Sequence, residues 1–154
     1  MFPLIDDRDL VTLAYGPLSE IHRGDVVAFV SNRGFVVHRV IKSRNKGEDI
    51  LFLEKGDSSP FSTWIRGREV LGKVIEIKSD SRAIKLTSFP WKFYNRCLAF
   101  LGSLWVLVFK NNGSERGAAG KRDAFPLSKA EKRIFLFFKA LSYALTNLLY
   151  RRVD

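Results

Sequence analysis

Apolar residues recur with a period of two along the first part of the chain, in short runs separated by Gly, Asp, Asn and Pro. The runs predict strands over 10–14, 26–30, 34–41, 50–54, 69–78 and 82–86. Turns are expected at Gly16-Pro17, His22-Arg23-Gly24-Asp25, Ser31-Asn32-Arg33-Gly34 and Asn45-Lys46-Gly47-Glu48-Asp49. The stretch after Lys55-Gly56-Asp57, which carries Phe61 and Trp64, reads as an irregular loop. Short strands at this turn spacing predict a mainly β fold, an antiparallel barrel or coiled sheet. Beyond Pro90 the period lengthens. An apolar helix is expected over 89–110 and a Gly/Lys/Arg-rich loop over 111–126, followed by a basic amphipathic helix over 127–152. Ser128-Lys129-Ala130-Glu131 fits a capping box at the start of that second helix. Ile134, Phe138, Leu141, Leu145 and Leu148 then form its apolar stripe, with Lys132, Lys139 and Thr146 facing away. The chain thus divides into a β domain over 1–88 and an α-helical C-terminal tail.

Within the β region one strand differs from the rest. In Gly34-Phe35-Val36-Val37-His38-Arg39-Val40-Ile41, alternation puts Val36, His38 and Val40 on one face and Phe35, Val37 and Ile41 on the other. An imidazole in an apolar row needs hydrogen-bond partners, and Asp57 is the candidate in this sequence. Two readings stand side by side: a satisfied core histidine, or a base held in a site.

Charge changes the view of the tail more than of the β region. Residues 1–90 hold 14 Lys/Arg against 12 Asp/Glu, whereas residues 91–154 hold 12 against 4. The net charge of +10 therefore sits mostly on segments that are also aromatic and aliphatic. That combination points to an anionic membrane surface as a partner, with nucleic acid ranked behind it. The longest uncharged apolar run, Cys97 to Phe109, would make a helix of roughly 20 Å, short of a hydrocarbon core of about 30 Å. Peripheral membrane association is expected of the sequence as given, and an anchored protein if an N-terminal extension carries a membrane helix. A single cysteine excludes an internal disulfide, and two histidines at 22 and 38 offer no metal-ligand spacing, so neither metal nor cofactor is expected.

Several segments together resemble the signal peptidase I-like serine peptidases, whose fold the self-cleaving SOS repressors share. Met1-Phe2-Pro3-Leu4-Ile5 followed by Asp9-Leu10-Val11 is similar to the family's Ser-Met-x-Pro segment and its acidic turn. Arg23-Gly24-Asp25-Val26 is similar to its turn into a strand, Lys55-Gly56-Asp57 to its acidic loop, and Leu71-Gly72-Lys73-Val74 to its closing strand. Val37-His38-Arg39-Val40 resembles the form in which histidine replaces the bacterial lysine. The resemblance covers about residues 1–77. It implies a peptidase domain that cleaves extended leader peptides or preproteins, with His38 as general base and Asp57 as the acid that orients it. Met1, Phe2 and Pro3 would line the substrate approach. In the family the nucleophilic serine directly precedes the methionine, so here it is expected just before Met1, outside this sequence. The alternative expectation is a non-catalytic relative that binds peptides or membranes.

Overall fold

In a computed structural model, residues 5, 8–32, 34–80, 82–108, 114–115 and 128–153 are described. The strands are β1 (Leu10–Ala14), β2 (Val26–Ser31), β3 (Gly34–Lys46), β4 (Asp49–Lys55), β5 (Ser62–Arg66), β6 (Val70–Ser79), β7 (Arg82–Lys85) and β8 (Ser114–Glu115). Two helices follow the main strands, α1 (Phe89–Val108) and α2 (Lys129–Val153). The fold is mainly β with a helical C-terminal part.

All strands join one sheet in the order β1-β6-β2-β3-β4-β5-β8, with β7 also paired to β6. Seven strands pair antiparallel, and the two-residue β8 runs parallel to β5. The path has two ends, so the sheet is open. This corrects the barrel half of the sequence expectation. The reason lies in β6: Lys73 pairs with Ala14 on one edge and Val27 on the other, and farther along Glu76 pairs with Thr12 and Lys85. Strands β2 and β7 thus occupy successive lengths of one edge of β6, and β1 on the opposite edge ends the path.

Two of the expected elements need revision. The stretch read as a loop around Trp64 contains β5, in which Ser62, Thr63 and Ile65 are buried while Arg66 is exposed. Strand β3 runs to Lys46, well past the expected end at Ile41, because its second half pairs with β4 as a hairpin. Gly47 turns that hairpin with φ of 62°, in the left-handed region that glycine enters without strain.

The sheet separates two packed layers. On one face Val27, Phe29, Val40, Phe52 and Ile65 bury with Ile21, flanked by Leu18, Val36 and Val70. On the other, Val26, Val74, Ile77, Ile84 and Leu86 pack beneath Trp91, Tyr94 and Leu98 of α1, and Ile41 and Leu53 beneath its Ala99. Ile5 is buried in the same helix-side cluster.

Helix α2 starts as its sequence predicts. Glu131 N–H donates to Ser128 Oγ at 3.2 Å, and Ser128 N–H donates to Glu131 Oε2 at 2.7 Å, which holds the Glu131 carboxyl below its usual range. Its packed face is only partly the expected one: Phe138 meets the Trp105 ring of α1, centroids 6.0 Å apart, and Leu145 packs on the helix-side cluster. Thr146, placed on the outer face by the stripe argument, is buried and hydrogen-bonded to Tyr94 of α1, while Ser142 is buried one turn earlier. The small polar edge of α2 therefore meets α1, and Ile134, Phe137 and Leu148 face outward. Among the described residues no helix is long and apolar enough to cross a membrane.

Candidate active site

The candidate site is set by the register of the β3–β4 hairpin. Arg39 lies opposite Lys55 and Val40 opposite Glu54, so Glu54 is the diagonal neighbour of His38 on the same face. His38 Nδ1 stands 2.5 Å from Glu54 Oε2, with the histidine side chain 19% exposed and the glutamate 2%. The Phe29 ring meets the imidazole edge-on, centroids 5.9 Å apart. The Nε2 side of the ring lies over Gly56. A Cβ at that position would come within 2.8 Å of Nε2 and 3.2 Å of Cδ2. Glycine is required there because the ring takes the space a side chain would fill.

Asp57, the acid expected to orient His38, is engaged elsewhere. It accepts hydrogen bonds from Arg39 Nε at 2.9 Å and Nη2 at 2.8 Å. Consecutive residues of a strand point to opposite faces, so Arg39 and its acid lie on the helix side of β3 while His38 lies on the other. Glu54 thus occupies the place that sequence reasoning assigned to Asp57. A signal for it was present: Ile50, Phe52 and Glu54 share a parity, so one carboxylate ends the apolar row that packs beside the histidine strand. Met1, Phe2 and Pro3, the expected substrate-lining residues, lie outside the described residues.

The Arg39–Asp57 pair anchors α1 behind the site. Arg39 is fully buried and also donates from Nη1 to Asn95 Oδ1 at 2.7 Å and to Gly24 O at 3.1 Å. Burial by itself pulls this guanidinium down, and the charge and hydrogen bonds of Asp57 more than restore it, so it is held above its ordinary value. Gly24 has φ of 96°, and a Cβ there would meet the Asn95 backbone at 3.2 Å. The turn and helix therefore approach as closely as glycine permits.

Lys55, adjacent to Glu54, faces the same helix side. Burial lowers its ammonium to about 8, and Nζ donates to Gly56 O at 3.2 Å. Between pH 8 and 10.5 the folded chain gives up this proton while the unfolded chain keeps it, so unfolding free energy rises with pH through that window. The full window corresponds to at most roughly 3 kcal/mol. Tyr94, raised to about 12 by burial, opposes the trend above pH 10. Urea titrations at pH 7 to 10 are expected to show the rise in the wild type and a flat profile in Lys55→Met.

No three His, Cys, Asp or Glu side chains converge on a metal-sized site among the described residues. No family model, no curated protein and no solved structure matches this chain. The candidate site therefore rests on its own geometry, an imidazole whose Nδ1 faces a buried carboxylate. A carboxylate on Nδ1 keeps the hydrogen there and leaves the Nε2 lone pair to accept a proton.

Proposed function

We propose that the β domain is a signal-peptidase-like serine endopeptidase in which His38 is the general base and Glu54, rather than Asp57, orients it. The observation that carries this reading is the His38–Glu54 pair, set on one face of a hairpin with glycine beneath the ring. By the resemblance the nucleophile is a serine, expected next to the methionine of the Ser-Met-x-Pro segment that Met1-Phe2-Pro3 resembles. Its hydroxyl proton passes to His38 Nε2 as the oxygen attacks the scissile carbonyl, and the imidazolium returns the proton to the leaving amine. Water then hydrolyses the acyl-enzyme by the same transfer. Glu54 holds the ring and offsets the charge that develops on it.

The substrate is an extended leader peptide with a small residue before the cut, approaching along Met1, Phe2 and Pro3. The basic helical part keeps the domain peripherally attached to an anionic membrane surface. The test compares the 154-residue chain with a chain extended by a serine placed before Met1, using a leader peptide and mass spectrometry of the products. The longer chain is expected to cut once, after a small residue, and the shorter one to bind without turnover. An intact peptide after incubation with the longer chain would overturn catalysis, and binding by both would leave a peptide-binding relative.

A further inference from the structure

Helix α1 has two apolar faces, and among the described residues one of them is packed. Trp91, Tyr94, Leu98 and Trp105 are buried, packed on the sheet and on α2. On the opposite side Phe89, Phe93, Phe100 and Leu107 are 82%, 64%, 55% and 75% exposed. At about 100° per residue these four positions fall within roughly 40° of one another, a straight stripe along the helix. From Phe89 to Leu107 it runs roughly 27 Å. Three aromatic rings and a leucine aligned in this way form a continuous apolar face rather than scattered surface residues.

Charge decides what this face meets. Helix α1 carries Lys92 and Arg96, both exposed, and no acidic residue. Arg96 lies within the stripe by the same helical spacing, between Phe93 and Phe100. The Arg23 guanidinium stacks on the Phe100 ring at 5.8 Å, which adds a third cation at the same face. A second copy would bring like charge against like. A negatively charged lipid surface accepts both components, rings into the acyl boundary and cations at the head groups.

We propose that the Phe89–Phe93–Phe100–Leu107 stripe of α1 is the face by which this protein seats on an anionic bilayer, with the helix lying in the interfacial plane. This rests on the surface-bound reading above and names the element responsible. It narrows the sequence expectation, which assigned membrane contact to the basic and aromatic C-terminal segments as a whole, to one face of one helix.

The test is co-sedimentation with phosphatidylcholine vesicles, with and without 30% phosphatidylserine. The wild type is expected to partition at least tenfold better onto the anionic vesicles. Phe93→Gln/Phe100→Gln is expected to lower that partition at least tenfold, and Lys92→Glu/Arg96→Glu about tenfold or more. All four side chains are exposed, so the melting temperature checks that each variant stays folded. Equal binding to both vesicles, or none, would overturn the proposal. So would loss of binding in Ile134→Gln/Phe137→Gln on α2 with Phe93→Gln/Phe100→Gln unaffected. Tighter, salt-sensitive binding to an RNA oligonucleotide, or a wild-type dimer dispersed by Phe93→Gln/Phe100→Gln, would assign the face to another partner. Cleavage of a soluble leader peptide by these variants is read separately, so failure of docking and failure of the peptidase reading are distinguishable.

Discussion

Glu54→Gln is expected to lower kcat/KM for a leader peptide by about 10²–10⁴-fold in the chain extended by a serine before Met1. Glutamine preserves shape and a hydrogen bond, but it also offers an N–H that Nδ1 can accept. The imidazole then carries its hydrogen on Nε2, where the base must accept a proton from the nucleophile. The carboxylate that faces the developing positive charge is lost in the same step. His38→Ala removes the base itself, and groups that act as one unit do not add. The double variant is therefore expected to be no slower than His38→Ala alone. Equal rates for Glu54→Gln and the wild type, at an unchanged melting temperature, would return His38 and Glu54 to the status of a satisfied core pair.

Asp57→Ala is expected to act on stability instead, lowering it by about 3–5 kcal/mol. The guanidinium of Arg39 is fully buried, and removing its carboxylate leaves a charge with one side-chain acceptor, Asn95, and one carbonyl, Gly24. Breaking such a pair is costlier than exchanging it whole for apolar groups of similar volume. Arg39→Met/Asp57→Leu should accordingly be milder than Asp57→Ala, a comparison that urea denaturation measures directly. A loss in Asp57→Ala below about 1 kcal/mol would mean that the pair behaves like an exposed one. Glu54→Gln and Asp57→Ala together separate the two acids: the first moves rate, the second moves stability.

How far the sequence reached depended on whether neighbours in space were also neighbours in pattern. Alternation located β1, β2, β4, β6 and β7 with small errors at their ends, because each has an apolar face that must be buried. It missed β5, where Ser62 and Thr63 are buried polar residues that weaken the period-two signal. Openness of the sheet was not legible, since it follows from β6 sharing one edge between β2 and β7. For the site, His38 was legible as the one polar group in its row. Its acid was misassigned because Gly-Asp reads as a motif, whereas strand parity, a weaker-looking cue, separates Asp57 from His38 and brings Glu54 to it. The outer face of α2 was misread for a related reason. Helical spacing identifies an apolar stripe, but which flank packs is decided by the partner, here the Tyr94 hydroxyl that takes up Thr146.

The boundary at residue 88, natural in the sequence, divides one core. Trp91, Tyr94 and Leu98 complete the cluster begun by Val26, Val74 and Ile77, and Asn95 closes the hydrogen bonding of the arginine next to His38. On the ribosome this sets an order of events. A nascent chain that ends before residue 91 has synthesised every main strand of the sheet yet lacks the side chains that roof half of it. The sheet therefore settles late, when α1 has emerged and docked, and its apolar face is exposed to chaperones and aggregation for the time taken to make that helix.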